Sequence, residues 1–370
     1  MDGGIMDEYK RALVVVLVAT ATIITLAGCD LFESEGDADG LYWIKRGEDV
    51  VDATIYYVSP DGADNADGKT TGTAFRTIAH AMETVSPGGT VRILPGKYTE
   101  AIGSEGTGSV AAPITVEGFQ GIPVLDGEMT GTMAFWFENS HNLVFRNLEI
   151  KQYTDVGIGF SCCTNITLRN LLIHHDGNAV KLVDWEFEGY GIHVEESENV
   201  LIDSCEVYEC GPDPQIYPDF LMGTGIDTYG NKHIVIRDNL SHHNTGGGIL
   251  VEDSEDVLVL GNRVYVNDAD ATADEWWDAG IWVDGGHDVT VKENEIFENL
   301  GPGIQISDED DQNPYGYVLE DNIIERNDFG VFIWGFGTND WPAPSIIVRT
   351  GNQIADNRRR DIWICPEFCY

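Results

Sequence analysis

Gly225-Ile226-Asp227-Thr228 and Gly248-Ile249-Leu250-Val251 begin 23 residues apart, and Asn239 and Asn262 repeat at the same interval. A short fixed period marks a solenoid, because each repeat buries its apolar face only by stacking on its neighbours. Working outward, the Gly-(Ile/Val) motif recurs at Gly157, Gly191, Gly225, Gly248, Gly280, Gly303 and Gly330. An Asn series runs Asn147, Asn170, Asn239, Asn262, Asn294, Asn322 and Asn352, with Cys205 in the same slot of one copy. A second series, five residues on, reads Gln152, His175, Cys210, Asn244, Asn267, Asn299, Asn327 and Asn357.

In one copy, residues 200–202, 207–208 and 225–228 read as three short strands joined by turns. Three strands in about 23 residues make one coil of a parallel β-helix, with coils about 4.8 Å apart. Equivalent residues then stack. Asn tolerates the left-handed turn conformation, and stacked amides bond to one another, so both Asn series are expected as structural ladders. The Leu-x-x-Leu-x-Leu pattern of the competing leucine-rich solenoid is absent.

The 370-residue chain divides into four expected parts. Residues 1–28 have the layout of a secretory signal: Lys10-Arg11, an apolar run, then Leu26-Ala27-Gly28-Cys29. That ending resembles the bacterial lipobox, which makes Cys29 the expected lipidation site and new N-terminus. Residues 29–53 read as an acidic tether. Residues 54–111 form an N-terminal cap with a helix over 73–85, where Phe75, Ile78, Ala79, Met82 and Val85 make one apolar stripe. Residues 112–370 form the β-helix with its C-terminal cap. Attachment to a membrane is expected only through the lipid, in the cell envelope outside the cytoplasm, with the protein a monomer. The pairing of Cys162, Cys163, Cys205, Cys210, Cys365 and Cys369 is open, although Cys365 and Cys369 are placed to staple the C-terminal end.

Acidic residues number 63 against 21 basic ones, a net charge of −42. Nucleic acid is excluded as a partner, since binding it needs basic surface. The acidity suits solubility in salty surroundings and a capacity for divalent cations, which take carboxylate oxygens.

Extra length falls in three insertions, 176–190, 211–224 and 268–279, each just before a Gly-Ile strand. Insertions at one turn of a solenoid gather on one side. They carry Trp185, Phe187, Tyr190, Tyr217, Phe220, Trp276 and Trp277, aromatics suited to the C–H faces of a sugar. With Ile pointing inward, alternation turns the second and fourth residues after each Gly outward. The middle coils thus present His193, Glu195, Asp227, Tyr229, Glu252, Trp282 and Asp284 on one face. Glu252 and Asp284 on adjacent coils need a shared proton or a cation. Calcium is the expected cofactor, with Glu195, Asp227, Glu252 and Asp284 as its ligands.

Tyr56-Tyr57-Val58-Ser59-Pro60-Asp61-Gly62, Phe75-Arg76-Thr77-Ile78 and Gly89-Thr90-Val91 leading to Pro95-Gly96 resemble the opening of secreted members of the pectate-lyase superfamily. The resemblance spans about 55–364. It implies an all-β, right-handed parallel β-helix whose substrate groove lies over the Gly-Ile strand, with acidic residues binding Ca²⁺ and a Lys or Arg as base. Here no Lys or Arg occupies the outward slots of that strand. The candidate bases are Lys232, Lys181 and His193, with His242 and His243 behind them, and Asp227 completes the catalytic set. Trp185, Tyr229, Trp276, Trp277 and Trp282 are expected to contact substrate. The leading expectation is a Ca²⁺-dependent lyase acting on a uronate-containing polysaccharide. The rivals are a glycoside hydrolase using Asp227, Glu252 and Asp284, and a non-catalytic binding solenoid.

Overall fold

The computed structural model describes residues 42–44, 53–109, 112–178, 181–183, 186–214, 221–269, 278–308, 315–334 and 347–365. Three parallel sheets of eleven, ten and eleven strands run its length. Sheet 1 holds the Gly-Ile strands. Sheet 2 holds strands such as Glu198–Asp203 and Lys232–Arg237, and sheet 3 the three-residue strands such as Glu206–Tyr208. From Thr90–Ile93 onward, ten successive coils each contribute one strand to each sheet, as a three-stranded β-helix requires, and Tyr42–Ile44 and Ile55–Val58 precede them in sheets 1 and 2. Register follows the sequence period. Ile158, Ile192, Ile226, Ile249, Ile281, Ile304 and Val331 are consecutive partners in sheet 1. All seven are fully buried. At the N-terminal end the interior is aromatic: Phe135, Phe137, Phe145 and Phe160 pack ring on ring. Each such buried side chain contributes roughly 1.5–3 kcal/mol.

The helix spans Ile78–Thr84, shorter than the 73–85 stretch expected. Phe75 is taken up by sheet 2 instead: its N–H donates to Tyr57 and its carbonyl accepts from Ser59. Thr77 then caps the helix by accepting the His80 N–H, and the Glu100 carboxylate accepts from Ile78 and Ala79 at 2.8 Å each. The apolar stripe is buried as expected. The helix packs over the first strands of sheets 1 and 2, so no open rung is left there for edge pairing.

Both Asn ladders exist. Asn239, Asn262, Asn294, Asn322 and Asn352 pass the same bonds upward: the backbone N–H and the Nδ2 of each donate to the Oδ1 of the next. Asn244, Asn267, Asn299, Asn327 and Asn357 do likewise. Two assignments need correction. Asn147 and Asn170, and Gln152 and His175, hold the positive-φ turn position one residue before the main ladders; the amides of Asn170 and Asn147 do bond, at 3.4 Å and exposed, but they do not continue into the Asn239 column. In later coils Asp238, Glu293 and Asp321 hold that position before their ladder Asn. The ladder slots of these two coils belong to Leu148 and Leu171, and to Tyr153 and Asp176. The left-handed turn and the amide ladder are therefore adjacent columns, and Asn serves either.

A third ladder went unread in the sequence. At the turn from sheet 1 to sheet 2, backbone N–H groups of Thr107, Ser140, Cys163, Ser197 and Asn231 donate in turn to the side chains of Ser140, Cys163, Ser197, Asn231 and Ser254. Its mixed composition hides the period. Cys163, Cys205 and Cys210 are free and buried, with burial pushing the first two thiols up to about 12, so they are inert ladder members. Cys162 and Cys365 are disulfide-bonded. The signal, most of the tether including Cys29, and Cys369 lie outside the described residues. Tyr42–Ile44, within the stretch read as tether, is instead the first strand of sheet 1, paired in parallel with Ile102–Ser104.

Candidate active site

The outward face of sheet 1 carries two columns in the expected register. One reads Gly159, His193, Asp227, Leu250, Trp282, Gln305 and Phe332. The other reads Ser161, Glu195, Tyr229, Glu252, Asp284 and Ser307. The first two insertions lie side by side next to this face. Strand Glu186–Glu188 of the first pairs with Leu221–Met222 of the second. Each of these two insertions closes on itself at a glycine neck. A Cβ on Gly177 would sit 2.4 Å from the Gly189 backbone, and one on Gly211 would sit 2.8 Å from Gly223.

His193 is the centre of the face. Its Nδ1 lies 2.5 Å from Asp227 Oδ2 on the next rung, and its Nε2 lies 3.5 Å from Glu195 Oε2 in its own strand. The His193 and Asp227 side chains are 15% and 5% exposed, enough for the imidazole edge alone to meet solvent. Burial opposes charge on the ring, but the Asp227 and Glu195 carboxylates outweigh it and push His193 up to about 10. At neutral pH the ring is an imidazolium clamped between two carboxylates.

Two aromatic rings lie against it. Trp136 stacks at 6.0 Å and 15°, and Tyr190 at 5.0 Å and 28°. Trp136 reaches across an intervening rung because that rung carries Gly159, where a Cβ would lie 2.3 Å from the indole. The indole Nε1 donates to Glu138 at 2.8 Å. Trp136 was missed in the sequence because its strand has Ala134 where later coils have Gly. Stepping 23 residues back from Gly157 reaches Ala134 and would have found it.

The remaining expected residues distribute unevenly. Tyr229 is half-buried on the face, between the rungs of Glu195 and Glu252. Trp282 is only 4% exposed, its Nε1 donating to Ser307 at 2.7 Å within a second apolar cluster that includes Leu250, Phe332 and Trp334. Packing thus withdraws Trp282 from the surface, and the C-terminal half of the face is a core. Asp284 is buried and accepts from Ser307 Oγ. Lys232 opens a sheet 2 strand around the corner, 59% exposed and paired with Glu255 at 3.2 Å. Lys181 sits in a strand of the first insertion, Lys181–Val183. Trp185, Trp276 and Trp277 lie outside the described residues. Among the described residues, no three His, Cys, Asp or Glu side chains gather as a metal site. Asp227 and Glu195 are turned onto His193, and Asp284 onto Ser307. The four expected calcium ligands do not by themselves form one centre.

The family described as "Right handed beta helix region" matches residues 128–274, 184–341 and 269–364, which together exceed half the chain. The chain belongs to this right-handed β-helix family. A curated relative, the uncharacterized protein YwoF of Bacillus subtilis (strain 168), is 27% identical over 315 residues, covering 76% of this chain. The β-helix chain spans 64% of that relative's length. Among solved structures, pectate lyase Pel9A superposes with a TM-score of 0.61 at 16% identity, covering 88% of this chain and 80% of that one. The lacto-N-biosidase of Eubacterium ramulus superposes at 0.52 and 15% identity, covering 85% and 68%. At these identities the likeness establishes the fold.

Proposed function

We propose that this β-helix protein binds a polysaccharide along the N-terminal half of the sheet 1 face and cleaves it at His193, outside the cytoplasm and anchored through Cys29. The observation that carries the reading is the His193–Asp227–Glu195 cluster beside a tryptophan face. It joins an ionisable group, its orienting carboxylate and a ring suited to a sugar in one place. Glycan-acting names recur among the solved structures with this fold: a pectate lyase, a lacto-N-biosidase and an alginate epimerase.

The reaction proposed is β-elimination at a uronic acid. His193 in its neutral form takes the proton from the carbon next to the uronate carboxylate. The glycosidic C–O bond at the adjacent carbon breaks, its electron pair leaves with the oxygen, a double bond forms, and the leaving oxygen takes a proton from solvent water while His193 later returns its proton to solvent. Asp227 fixes the ring through Nδ1 and stabilises the imidazolium that results, which leaves Nε2 as the reacting nitrogen. Trp136 and Tyr190 hold the ring plane. Calcium enters the proposal as the counter-ion that lets a polyuronate approach a chain of net charge −42.

A second reading rests on the same geometry. Asp227 and Glu195 stand on opposite sides of an imidazole, and two separated carboxylates also serve glycoside hydrolysis. Incubation with polyuronates and with neutral polysaccharides, with and without Ca²⁺, separates the readings. A near-ultraviolet-absorbing unsaturated product, lost in His193→Ala, supports elimination. New reducing ends without that absorbance support hydrolysis. Full turnover in excess chelator removes calcium from the account. Absence of cleavage of any glycan overturns the enzyme reading.

A further inference from the structure

Sheet 3 carries a feature that plays no part in the proposed cleavage. On its outer side, His174, Tyr208, His242, Tyr265 and Phe297 stack rung on rung, with centroids 4.8, 5.1, 4.7 and 4.9 Å apart and rings within 12° of parallel. Next to the two histidines of this stack, at the positive-φ turn position, are His175 and His243. The result is two vicinal pairs, His174–His175 and His242–His243, two rungs apart. In each pair the two Nδ1 atoms face one another at 2.8 Å, with the rings near perpendicular at 76° and 84°.

Three of the four opposite nitrogens meet carboxylates. Nε2 of His175 lies 2.8 Å from Glu209, that of His174 3.5 Å from Glu149, and that of His242 3.4 Å from Glu206. A carboxylate on Nε2 fixes the proton there and leaves Nδ1 as a lone-pair donor. Two lone pairs at 2.8 Å repel. An Nδ1–H of one ring relieves them only if that ring gives up its Nε2 proton, whereas a metal ion between them relieves them with the Nε2 protons kept.

We propose that each pair is a bidentate seat for a divalent transition ion of the Cu²⁺ or Ni²⁺ type. Two imidazole nitrogens at right angles about a metal, each about 2.0 Å from it, are roughly 2.8 Å apart, which is the separation observed. Square-planar ions favour that angle, whereas the tetrahedral angle of Zn²⁺ spreads the nitrogens further. The stacked rings of Tyr208 hold His174 and His242 in position before any ion arrives. The strongly acidic chain raises the local cation concentration. No three ligating side chains gather among the described residues, so water or an external ligand completes each coordination sphere. Together the seats take two ions per chain.

The test is titration of the full chain with Cu²⁺ at neutral pH, read by calorimetry and by the nitrogen hyperfine pattern in electron paramagnetic resonance. The comparison is His175→Asn combined with His243→Asn. Asn suits the positive-φ backbone at both positions, so the fold is retained. The expected result is two ions per wild-type chain, each showing two imidazole nitrogens, with both lost in the double variant and neither lost in His193→Ala. Equal binding by wild type and double variant, or a signal with oxygen ligands alone, overturns the proposal. Because His193 is untouched, failure here leaves the cleavage reading standing, and failure of that reading leaves the two seats standing.

Discussion

Asp227 holds His193 from the rung above it, 2.5 Å from Nδ1, so neighbouring coils of the solenoid share one acid–base unit. The partnership raises His193 to about 10. If His193 is the base, the rate of cleavage by the wild-type chain rises with pH until that value is passed. Asp227→Asn removes the larger of the two charges acting on the ring. Its profile is expected to shift down toward the ordinary histidine value of about 6.5, with a maximal rate roughly 100-fold lower. A pH–rate profile of both proteins checks this; superimposable profiles remove His193 from the mechanism.

The same shift makes a stability prediction. An imidazole with a higher pKa folded than unfolded binds its proton more tightly in the native state. Its contribution is fully present below about pH 6.5 and is lost as pH rises through about 10. Thermal midpoints of the wild type should therefore fall between pH 7 and 10 more steeply than those of His193→Gln. Parallel curves would show that the clamp is not felt in folding.

Gly159 is the space in which Trp136 lies. Gly159→Ala puts a methyl group into the indole and displaces it from His193. The expected effect is a raised KM for polysaccharide with little loss of stability, because Trp136 is half-buried at the surface. Trp136→Ala should match it. Intact binding in either variant, measured by affinity electrophoresis, would move the sugar platform elsewhere.

Asp176 occupies an amide slot. Its Oδ1 accepts the Tyr153 N–H at 2.8 Å, while its Oδ2 is buried without a partner. Burial, reinforced by Asp126, raises this carboxyl well above the ordinary value. Its ionisation opposes folding, so stability climbs as pH falls from neutral toward 4. Asn267 and Asn299 donate from the equivalent atom to Ser241 and Val264 carbonyls one coil below. Asp176→Asn would meet the Ile150 carbonyl in the same way. A gain of about 1–3 kcal/mol at pH 7, shrinking at pH 4, is expected from urea denaturation. A loss at pH 7 would count against the reading.

The two kinds of Asn should respond differently to truncation. Asn294→Ala orphans the backbone N–H and Nδ2 of Asn262 and the Val259 carbonyl, and removes one of the two donors to Asn322 Oδ1, so about 3 kcal/mol or more should be lost. Asn170 is exposed at a positive-φ turn, and Asn170→Gly should be neutral or better. Equal costs would deny that the columns are distinct.

How far the sequence could be read depended on which property carried the period. The Ile column is set by burial alone, so its alternation gave the fold, the register and the outward columns that hold His193 and Asp227. The Asn series misled in two coils because Asn satisfies two neighbouring demands, a left-handed backbone and a stacked amide. Counting identical letters could not separate them at Asn147 and Asn170. The third ladder hid because Ser, Cys and Asn side chains all accept one hydrogen bond. At the site, the face was legible but its chemistry was not. The His193 clamp and the reach of Trp136 over Gly159 depend on side-chain directions between rungs, and the burial of Trp282 depends on what packs against it. None of these is a property of spacing.

The glycine necks have a consequence for how such a chain diversifies. Gly177 and Gly189 touch, as do Gly211 and Gly223, so an insertion leaves and rejoins its coil at nearly one point. The length of chain between the members of such a pair is uncoupled from the rung register. Segments of different length and composition can be exchanged there like fittings on a rail, changing what the face recognises while the strands beneath stay in step.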